Sequence, residues 1–188
     1  GDKIMNADIG FDSLRVNGIP WKATRFTCNW DFIAQYARFA LVERESGDAI
    51  AIGYYVPNDH RYAADLNIRH IDMALLSPVL EGALDNIKGA ARAQLTLTSR
   101  NRKPILNGTI KVDHFESNVS YTNVGYSLTE SVADVKDNVI TLRTTELVDT
   151  EGNKVGFDMD FNFKNLKNLS YTIRVRPTNT LVLNTTER

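Results

Sequence analysis

The sequence predicts an all-β protein built as an elongated antiparallel meander of about a dozen strands. Apolar and polar residues alternate with a period of two along most of the chain, which places the apolar side chains on one face of each strand. Turn-forming residues interrupt this alternation at short intervals, and such intervals leave no room for the helical crossovers that parallel strands require. Consecutive strands joined by hairpins follow from these two observations.

Length and composition limit the classes of function. The chain has 188 residues, of which 43% are apolar and 24% charged, and this composition excludes intrinsic disorder. Lys and Arg number 22 against 23 Asp and Glu, so no overall field attracts nucleic acid, and no nucleic-acid partner is expected. No low-complexity linker divides the chain, and we expect residues 1–188 to form a single β domain.

The alternation is clearest at residues 155–163. Large apolar side chains occupy every second position there, and polar residues or glycine occupy the others. A helix would distribute the same apolar side chains around its circumference, so the pattern indicates a strand. The same alternation is present in residues 64–68, 91–98, 106–113, 124–128 and 171–175.

Hairpin turns are predicted where Gly, Pro, Asn and Asp cluster between these segments. They lie at residues 45–48, 57–59, 100–104, 137–138 and 151–153. Residues 149–153 carry the acidic character of a calcium loop, but they lack its regular acidic spacing and its distal bidentate Glu. A tight turn explains that segment fully.

Two segments depart from strand periodicity. Apolar residues within 78–88 recur at helical spacing after Ser77, a good N-cap, and Pro78, which suits the first helical position. With Gly89 as the stop signal, the sequence predicts a short amphipathic helix at about 78–88. Residues 31–43 fit either a helix or a strand that leads into the turn at 45–48, and we favour a strand from Arg38 onward.

A weak internal repeat relates residues 86–93 to residues 104–111. In each copy a glycine, Gly89 or Gly108, precedes an alternating strand by a small offset. Glycine at such a position marks a bend or a close approach of two backbones. Repetition of this kind suits an elongated sheet that grows by the addition of hairpins.

The residues provide little for catalysis. His60 lies in a predicted turn, and His70 and His114 lie in or beside strands, without a second ligand at metal-binding spacing. Cys28 is the only cysteine, so no internal disulfide and no multi-cysteine metal site can form. We predict no catalytic residues, no metal and no cofactor. An enzyme with a spatially assembled Cys28–His pair is the minor alternative, and unchanged function after Cys28→Ala would exclude it.

The apolar face of the strands permits two interpretations. In the first interpretation, this face forms the core of a β-sandwich. In the second, it belongs to an open, folded sheet whose inner face contacts lipid tails. Both require the same alternation, and on pattern alone the sandwich is favoured.

The second half of the chain resembles a known family. Residues 104–112 and 119–128 are similar to the C-terminal region of the TamB family, the AsmA-like translocation and assembly proteins of Gram-negative envelopes. Further similar segments follow in the order that this family shows, at residues 139–142, 147–153, 163–166, 171–173 and 181–185. The resemblance covers residues 76–188 well and residues 1–75 loosely. It implies that this chain is an internal segment of a longer protein.

This resemblance implies a β-sheet curled lengthwise into a taco-like or open-barrel trough with an apolar floor. It also implies a periplasmic location, with the full-length protein anchored in the inner membrane and working with an outer-membrane barrel partner of the Omp85 type. The implied function is phospholipid transport between the two membranes or outer-membrane protein assembly. A trough suits acyl chains because each CH₂ group removed from water contributes about 0.8 kcal/mol.

The sequence therefore predicts a non-enzymatic segment whose apolar groove binds phospholipid acyl chains or amphipathic client strands. The candidate groove residues are Leu95, Leu97, Ile110, Val112, Phe157, Met159, Phe161, Ile173 and Val175. The alternative is an extracytoplasmic β-sandwich, an adhesin or carbohydrate-binding module, that acts through loops bearing Trp21, Trp30 or Tyr54 and Tyr55. Because an open sheet leaves strand edges unpaired, the isolated fragment is also expected to form edge-strand dimers.

Overall fold

The computed structural model describes residues 4–16, 18–165 and 168–177, which are almost entirely antiparallel β-structure. The all-β prediction is confirmed. The similar segment at residues 181–185 and part of the one at 163–166 lie outside the described residues. The strands are β1 (Ile4–Phe11), β2 (Leu14–Val16), β3 (Ile19–Trp21), β4 (Thr24–Asp31), β5 (Tyr36–Glu43), β6 (Ala49–Val56), β7 (Arg61–Asp72), β8 (Leu84–Arg100), β9 (Lys103–Val119), β10 (Val124–Leu128), β11 (Ser131–Lys136), β12 (Val139–Asp149), β13 (Lys154–Asn162) and β14 (Ser170–Pro177).

The strands follow one another as a meander. Within the described residues, a 12-stranded sheet has the order β1-β4-β5-β6-β7-β8-β9-β10-β12-β13-β14, and β11 pairs with both β12 and β9. The short strands β2 and β3 pair separately with each other. Since β10 and β11 both pair with β9 and with β12, they occupy a single strand position that is interrupted at residues 129–130. The predicted meander is confirmed.

The interruption between β10 and β11 coincides with a bulge in the neighbouring strand. The register of β12 against β13 shifts between Leu142 and Thr145. The hydroxyls of Ser131 and Thr145 are hydrogen bonded at 2.9 Å beside this shift. A bulge bends its strand and increases the local twist, so we expect β12 to bend at this point.

The predicted turns lie between strands as expected. The turn at Asn101 and Arg102 has φ angles of 51° and 63°, and the turn at Asp137 and Asn138 has 47° and 65°. Positive φ at both central residues is typical of the type I′ turn, whose twist matches that of the flanking strands. Both hairpins therefore have the two-residue connection that best suits a twisted antiparallel pair.

The helical segment is shorter than the predicted helix at 78–88. A 3₁₀ turn covers Met73–Leu76, and one α-helical turn, α1, covers Ser77–Leu80. The prediction was wrong beyond Leu80, because Gly82 adopts a φ of 81° and β8 begins at Leu84. Pro78 occupies the start of the helix as predicted.

The ambiguous segment at residues 31–43 resolves as a turn followed by a strand. Residues 32–35 form the turn, and β5 begins at Tyr36. The Asp31 carboxylate accepts hydrogen bonds from the backbone N–H groups of Ile33 and Ala34, both at 2.9 Å. This local bonding competes with a helix and starts the turn, and the strand predicted from Arg38 onward is confirmed.

Gly89 and Gly108, the glycines of the internal repeat, mark close backbone approaches as predicted. Both have a φ of 138°. A Cβ atom on Gly89 would overlap the carbonyl oxygen of His114 and stand 3.0 Å from the Cα of Phe115. A Cβ atom on Gly108 would overlap the carbonyl oxygen of Gln94 and stand 2.8 Å from the Cα of Leu95. Only glycine fits either position without a backbone shift.

The chain divides into two compact units. Unit 1 contains residues 1–69 and 93–108, and unit 2 contains residues 70–92 and 109–188. The core of unit 2 is a cluster of three buried residues with partly buried neighbours packed on it. The buried members are Ala91, Val112 and Leu128, and the neighbours are Ile71, Met73, Ile110, Phe115 and Leu147.

Complete burial is restricted to small side chains. Among the described residues, the largest side chains that are essentially fully buried are Val124, Val155 and Thr24. Phenylalanine, tryptophan, tyrosine and methionine side chains all retain partial exposure in this part of the chain. A closed β-sandwich buries its large apolar residues between two sheets, and this pattern differs from that arrangement.

Candidate functional site: the apolar faces of the two units

Strand register aligns a continuous apolar face in unit 1, since residues paired across antiparallel strands project to the same side. Cys28 pairs with Phe39, Phe39 pairs with Gly53, and Gly53 pairs with Ala64. We call this side the unit 1 apolar face. It comprises Met5, Ala7, Ile9 and Phe11 of β1, Phe26, Cys28 and Trp30 of β4, Ala37, Phe39 and Leu41 of β5, Ala51, Gly53 and Tyr55 of β6, and Tyr62, Ala64 and Leu66 of β7.

Leu95 and Leu97, two predicted groove residues, continue the unit 1 apolar face. The hydroxyl of Thr96 donates a hydrogen bond to the carboxylate of Asp65 at 3.2 Å, and Asp65 lies on the opposite, polar side of β7. Because neighbouring residues of a strand alternate between faces, Leu95 and Leu97 project to the apolar side. Both side chains are half-buried.

The unit 1 apolar face is open to a substantial degree. Met5 is 54% exposed and Ile9 is 48% exposed, while Phe26, Phe39 and Tyr55 are half-buried. Side chains this apolar and this exposed, aligned over five strands, form a patch of the kind that marks an interaction surface.

Gly53 shapes the middle of the unit 1 apolar face. A Cβ atom at this position would lie 2.6 Å from Cζ of Phe39 and 2.7 Å from Cβ of Ala64. The phenyl ring of Phe39 therefore lies across the strand position of Gly53. A side chain there would also overlap the backbone carbonyl oxygen of Ala63, so it would displace β7 as well as the ring and change the surface of the face.

A charged pair closes one end of the unit 1 apolar face. Glu43, which is buried, lies in register with Thr24 and accepts a contact from Nζ of Lys22 at 2.5 Å. Ser46 also donates a hydrogen bond to its carboxylate, at 3.2 Å. The hydrogen bond from Lys22 is the main cause of a lowered pKa of Glu43, and burial opposes it. Glu43 therefore stays ionised at neutral pH at the boundary of the apolar face.

Unit 2 has an apolar face built in the same way. Leu142 pairs with Met159, and Met159 pairs with Ile173. In the neighbouring rows, Phe157 pairs with Val175 and Phe161 pairs with Tyr171. We call this side the unit 2 apolar face. It comprises Ile140, Leu142 and Leu147 of β12, Val155, Phe157, Met159 and Phe161 of β13, and Tyr171, Ile173 and Val175 of β14.

The outer strand of the unit 2 apolar face is strongly exposed. Tyr171 is 55% exposed, Ile173 is 45% exposed and Val175 is 53% exposed. Phe161 is half-buried and stacks on Phe163, with ring centroids 6.3 Å apart. Five of the predicted groove residues therefore lie together on an accessible surface: Phe157, Met159, Phe161, Ile173 and Val175.

Ion pairs cover the opposite side of β13 and β14. Arg176 donates to Asp158 at 2.6 and 3.1 Å, and Arg143 donates to Asp160 at 2.6 and 2.7 Å. The hydrogen bond from Arg143 is the main cause of a lowered pKa of Asp160. Only one side of these strands is apolar, so an apolar ligand has one side available to it.

Two predicted groove residues lie in or beside the core cluster that Leu147 of the unit 2 apolar face also contacts. Val112 is buried in the core cluster of unit 2, and Ile110 packs against that cluster. The alternation of residues 106–113 identified a strand with one apolar side, but it did not show whether that side was covered. The sequence prediction also missed most of the unit 1 apolar face, although Phe26, Cys28 and Trp30 alternate with polar residues and carry the same signal.

The aromatic residues of the alternative, sandwich-type interpretation lie in strands. Trp21 lies in β3, Trp30 lies in β4, and Tyr54 and Tyr55 lie in β6. Their expected location in loops was wrong, because strand alternation extends through each of these positions. Tyr54 and Tyr55 consequently face opposite sides of the sheet.

The calcium-like segment at residues 149–153 is a tight turn, as predicted. The Oδ1 atom of Asp149 accepts hydrogen bonds from the backbone N–H groups of Glu151 and Asn153, both at 2.9 Å. Gly152 has a φ of 85°, which closes the turn. The carboxylate therefore organises its own loop.

Within residues 4–16, 18–165 and 168–177, no group of three or more His, Cys, Asp or Glu side chains is arranged to hold a metal ion. Cys28 is a free thiol of intermediate exposure on the unit 1 apolar face. No helix in the described part of the chain has the length and apolar character needed to cross a membrane.

No protein-family model, curated protein or solved structure matches this chain.

Proposed function

We propose that this chain is a non-enzymatic segment of a TamB-like envelope protein whose apolar faces bind phospholipid acyl chains. One observation carries the proposal. In each unit, register aligns apolar side chains on one side of the sheet, and the aromatic and methionine side chains among them all remain partly exposed. Such a surface lowers its free energy by covering itself with apolar groups.

An acyl chain suits this surface because it is long, flexible and free of polar atoms. Each CH₂ group that it buries contributes about 0.8 kcal/mol, so even a partly buried chain gains several kcal/mol. A polar ligand would gain nothing from Met5, Ile9, Ile173 or Val175. An amphipathic client strand is the second ligand that could cover such a face, since its own alternation places apolar side chains on one side.

The resemblance of residues 76–188 to the TamB family supports the cellular setting of the proposal. The segment would act in the periplasm, in a full-length protein anchored in the inner membrane and working with an Omp85-type barrel of the outer membrane. Its apolar faces would serve phospholipid transport between the membranes or the assembly of outer-membrane proteins.

The deciding experiment is photocrosslinking in cells on both sides of unit 2. A photoreactive amino acid at Phe157 or Phe161 should capture phospholipid, because these side chains lie on the unit 2 apolar face. The matched controls, Thr172 and Arg174, lie in β14 with exposed side chains on the opposite side. Mass spectrometry of the adduct distinguishes an acyl chain from a polypeptide.

Capture of phospholipid at Phe157 and Phe161 but not at the controls supports the acyl-chain proposal. Capture of polypeptide alone would assign the face to client strands. Equal labelling at all four positions, or no lipid at any of them, would refute the binding of acyl chains by the unit 2 apolar face.

A labelling experiment tests unit 1 independently. Cys28 is the only cysteine, so an environment-sensitive fluorophore attaches there alone. Vesicles of phosphatidylethanolamine and phosphatidylglycerol should shift its emission to the blue as lipid transfers to the protein. In the control, Cys28→Ser combined with Asn29→Cys moves the label by one residue to the polar side of the same strand, where no shift is expected. An identical shift in both proteins would contradict binding at the apolar face.

A further inference from the structure

The polar side of unit 1 contains a depression that the apolar face does not explain. It has a volume of about 460 Å³ and lies among β4, β5, β6 and β7. Two rows of cross-strand partners line it: Asn29, Arg38, Tyr54 and Ala63 in one row, and Thr27, Ala40, Ile52 and Asp65 in the other. Ala40 and Ala63 leave space between longer side chains, and this difference in size makes the surface concave.

Aromatic rings form one wall of the depression. Tyr36 and Tyr54 are stacked with ring centroids 5.7 Å apart and planes inclined by 27°. The guanidinium of Arg38 lies 5.4 Å from the centroid of the Tyr36 ring, and its Nε donates to the Tyr36 hydroxyl at 3.3 Å. Each contact limits the motion of these side chains, so the wall is organised before a ligand arrives.

Opposite charges flank the same depression without forming an ion pair. Within the described part of the chain, Arg38 has no carboxylate partner, and Asp65 accepts only the hydrogen bond from Thr96. The amide of Asn29 and the hydroxyl of Thr27 lie in the same two rows. The depression therefore offers donors and acceptors together with an aromatic surface.

We infer that this depression is a saccharide-binding site. A sugar hydroxyl both donates and accepts hydrogen bonds, so neighbouring hydroxyls satisfy a guanidinium and a carboxylate at the same time. The C–H groups of a pyranose ring cover the apolar surface of a tyrosine. An isolated anion would be repelled by Asp65 and an isolated cation by Arg38, while an apolar ligand would leave both charged groups without water.

The proposed saccharide site is separate from acyl-chain binding. Tyr54 faces the depression, whereas the next residue, Tyr55, belongs to the unit 1 apolar face. The two side chains are both half-buried and lie in the same strand. Tyr54→Ala and Tyr55→Ala are therefore matched variants that remove the same ring from opposite sides of the sheet.

The test is a titration of the full ¹⁵N-labelled chain with maltohexaose, cellohexaose and chitohexaose, followed by amide chemical shifts. At least one oligosaccharide should produce saturable shifts at Arg38, Tyr54 and Asp65 with a dissociation constant of about 1 mM, which is typical of a small single site. Tyr54→Ala should weaken this binding at least about tenfold. Tyr55→Ala should leave it within about twofold.

Three results would overturn the inference. The first is that none of the three oligosaccharides produces chemical shift changes. The second is that the changes persist unchanged in Tyr54→Ala. The third is that inorganic phosphate alone produces the same changes, which would indicate an anion site. If Tyr54→Ala does not give a dispersed spectrum, Arg38→Gln serves as the second variant, because it removes the guanidinium charge and keeps an unbranched polar side chain. Unchanged affinity in Arg38→Gln would equally count against the site.

Discussion

Replacing Gly108 by alanine tests the close backbone approach that the internal repeat predicted. The new Cβ atom would overlap the carbonyl oxygen of Gln94 and lie 2.8 Å from the Cα of Leu95. Both obstacles are backbone atoms, so no side-chain rotation relieves the contact. The φ of 138° adds strain of its own, since residues other than glycine rarely adopt it.

The expected loss of stability follows from these two effects. Backbone strain at such a position costs about 1–3 kcal/mol. Forcing a methyl group into an occupied space costs about another 1–3 kcal/mol. We therefore expect Gly108→Ala to lower the free energy of unfolding by about 2–6 kcal/mol, which corresponds to a fall in melting temperature of about 4–24 °C for a chain of this size.

The assay is thermal and urea unfolding followed by circular dichroism, with Gly10→Ala as the control. Gly10 lies in β1, and a Cβ atom there would meet only Nη1 of Arg44, at an ordinary 3.8 Å. Alanine in a strand has a smaller entropic cost than glycine, so Gly10→Ala should be neutral or stabilising by about 0.5 kcal/mol. Equal effects of the two substitutions would refute the close approach at Gly108.

Further predictions concern the core, the ion pairs, the turn and the sheet edges. Leu128→Ala should destabilise unit 2 by about 2–5 kcal/mol because it opens a cavity in the core cluster, whereas Ile173→Ala on the exposed face should cost much less. Urea unfolding measures the stability of both variants, and equal losses of stability would contradict an open face. Arg143 lowers the pKa of Asp160, so the folded state binds fewer protons at this carboxylate than the unfolded state. The stabilisation by this ion pair is therefore complete above the pKa of Asp160 in the unfolded chain, and it is lost as the pH falls through the pKa in the folded protein. The stability difference between wild type and Asp160→Asn should shrink from pH 7 to pH 3, and a constant difference would exclude this ion pair as the source of the stabilisation. Asp149 already binds its own backbone, so calcium should leave the melting temperature unchanged, and a calcium-dependent rise would replace the turn by a metal site. Edge-strand pairing predicts dimers that increase with concentration in light scattering, and a strict monomer would argue against it.

Local patterns in the sequence predicted most of the strands, because alternation and turn chemistry act over a few residues. Asn101 and Arg102, and likewise Asp137 and Asn138, connect hairpins where turn-forming residues were found. The helix at 78–88 was overestimated for the same local reason. Leu84 and Ile87 fit helical spacing after Ser77, but Ile87 also fits the alternation of β8, and pairing with neighbouring strands favoured the strand.

The candidate site could be predicted only in part. Phe157, Met159, Phe161, Ile173 and Val175 share one apolar side because strand register follows from hairpin connections. Burial is different, because it depends on residues that are distant in the sequence.

By itself, the sequence determined that this protein is an antiparallel meander with one apolar and one polar side to most strands. Only the tertiary structure decided which apolar side chains are covered: Val112 lies in a core cluster, whereas Val175, with the same chemistry and the same alternation, is exposed. The tertiary structure also brought Arg38, Tyr54 and Asp65 from three strands to one depression. The physical reason is that alternation fixes the direction of a side chain relative to its own strand, while the packing of other strands fixes what lies in that direction.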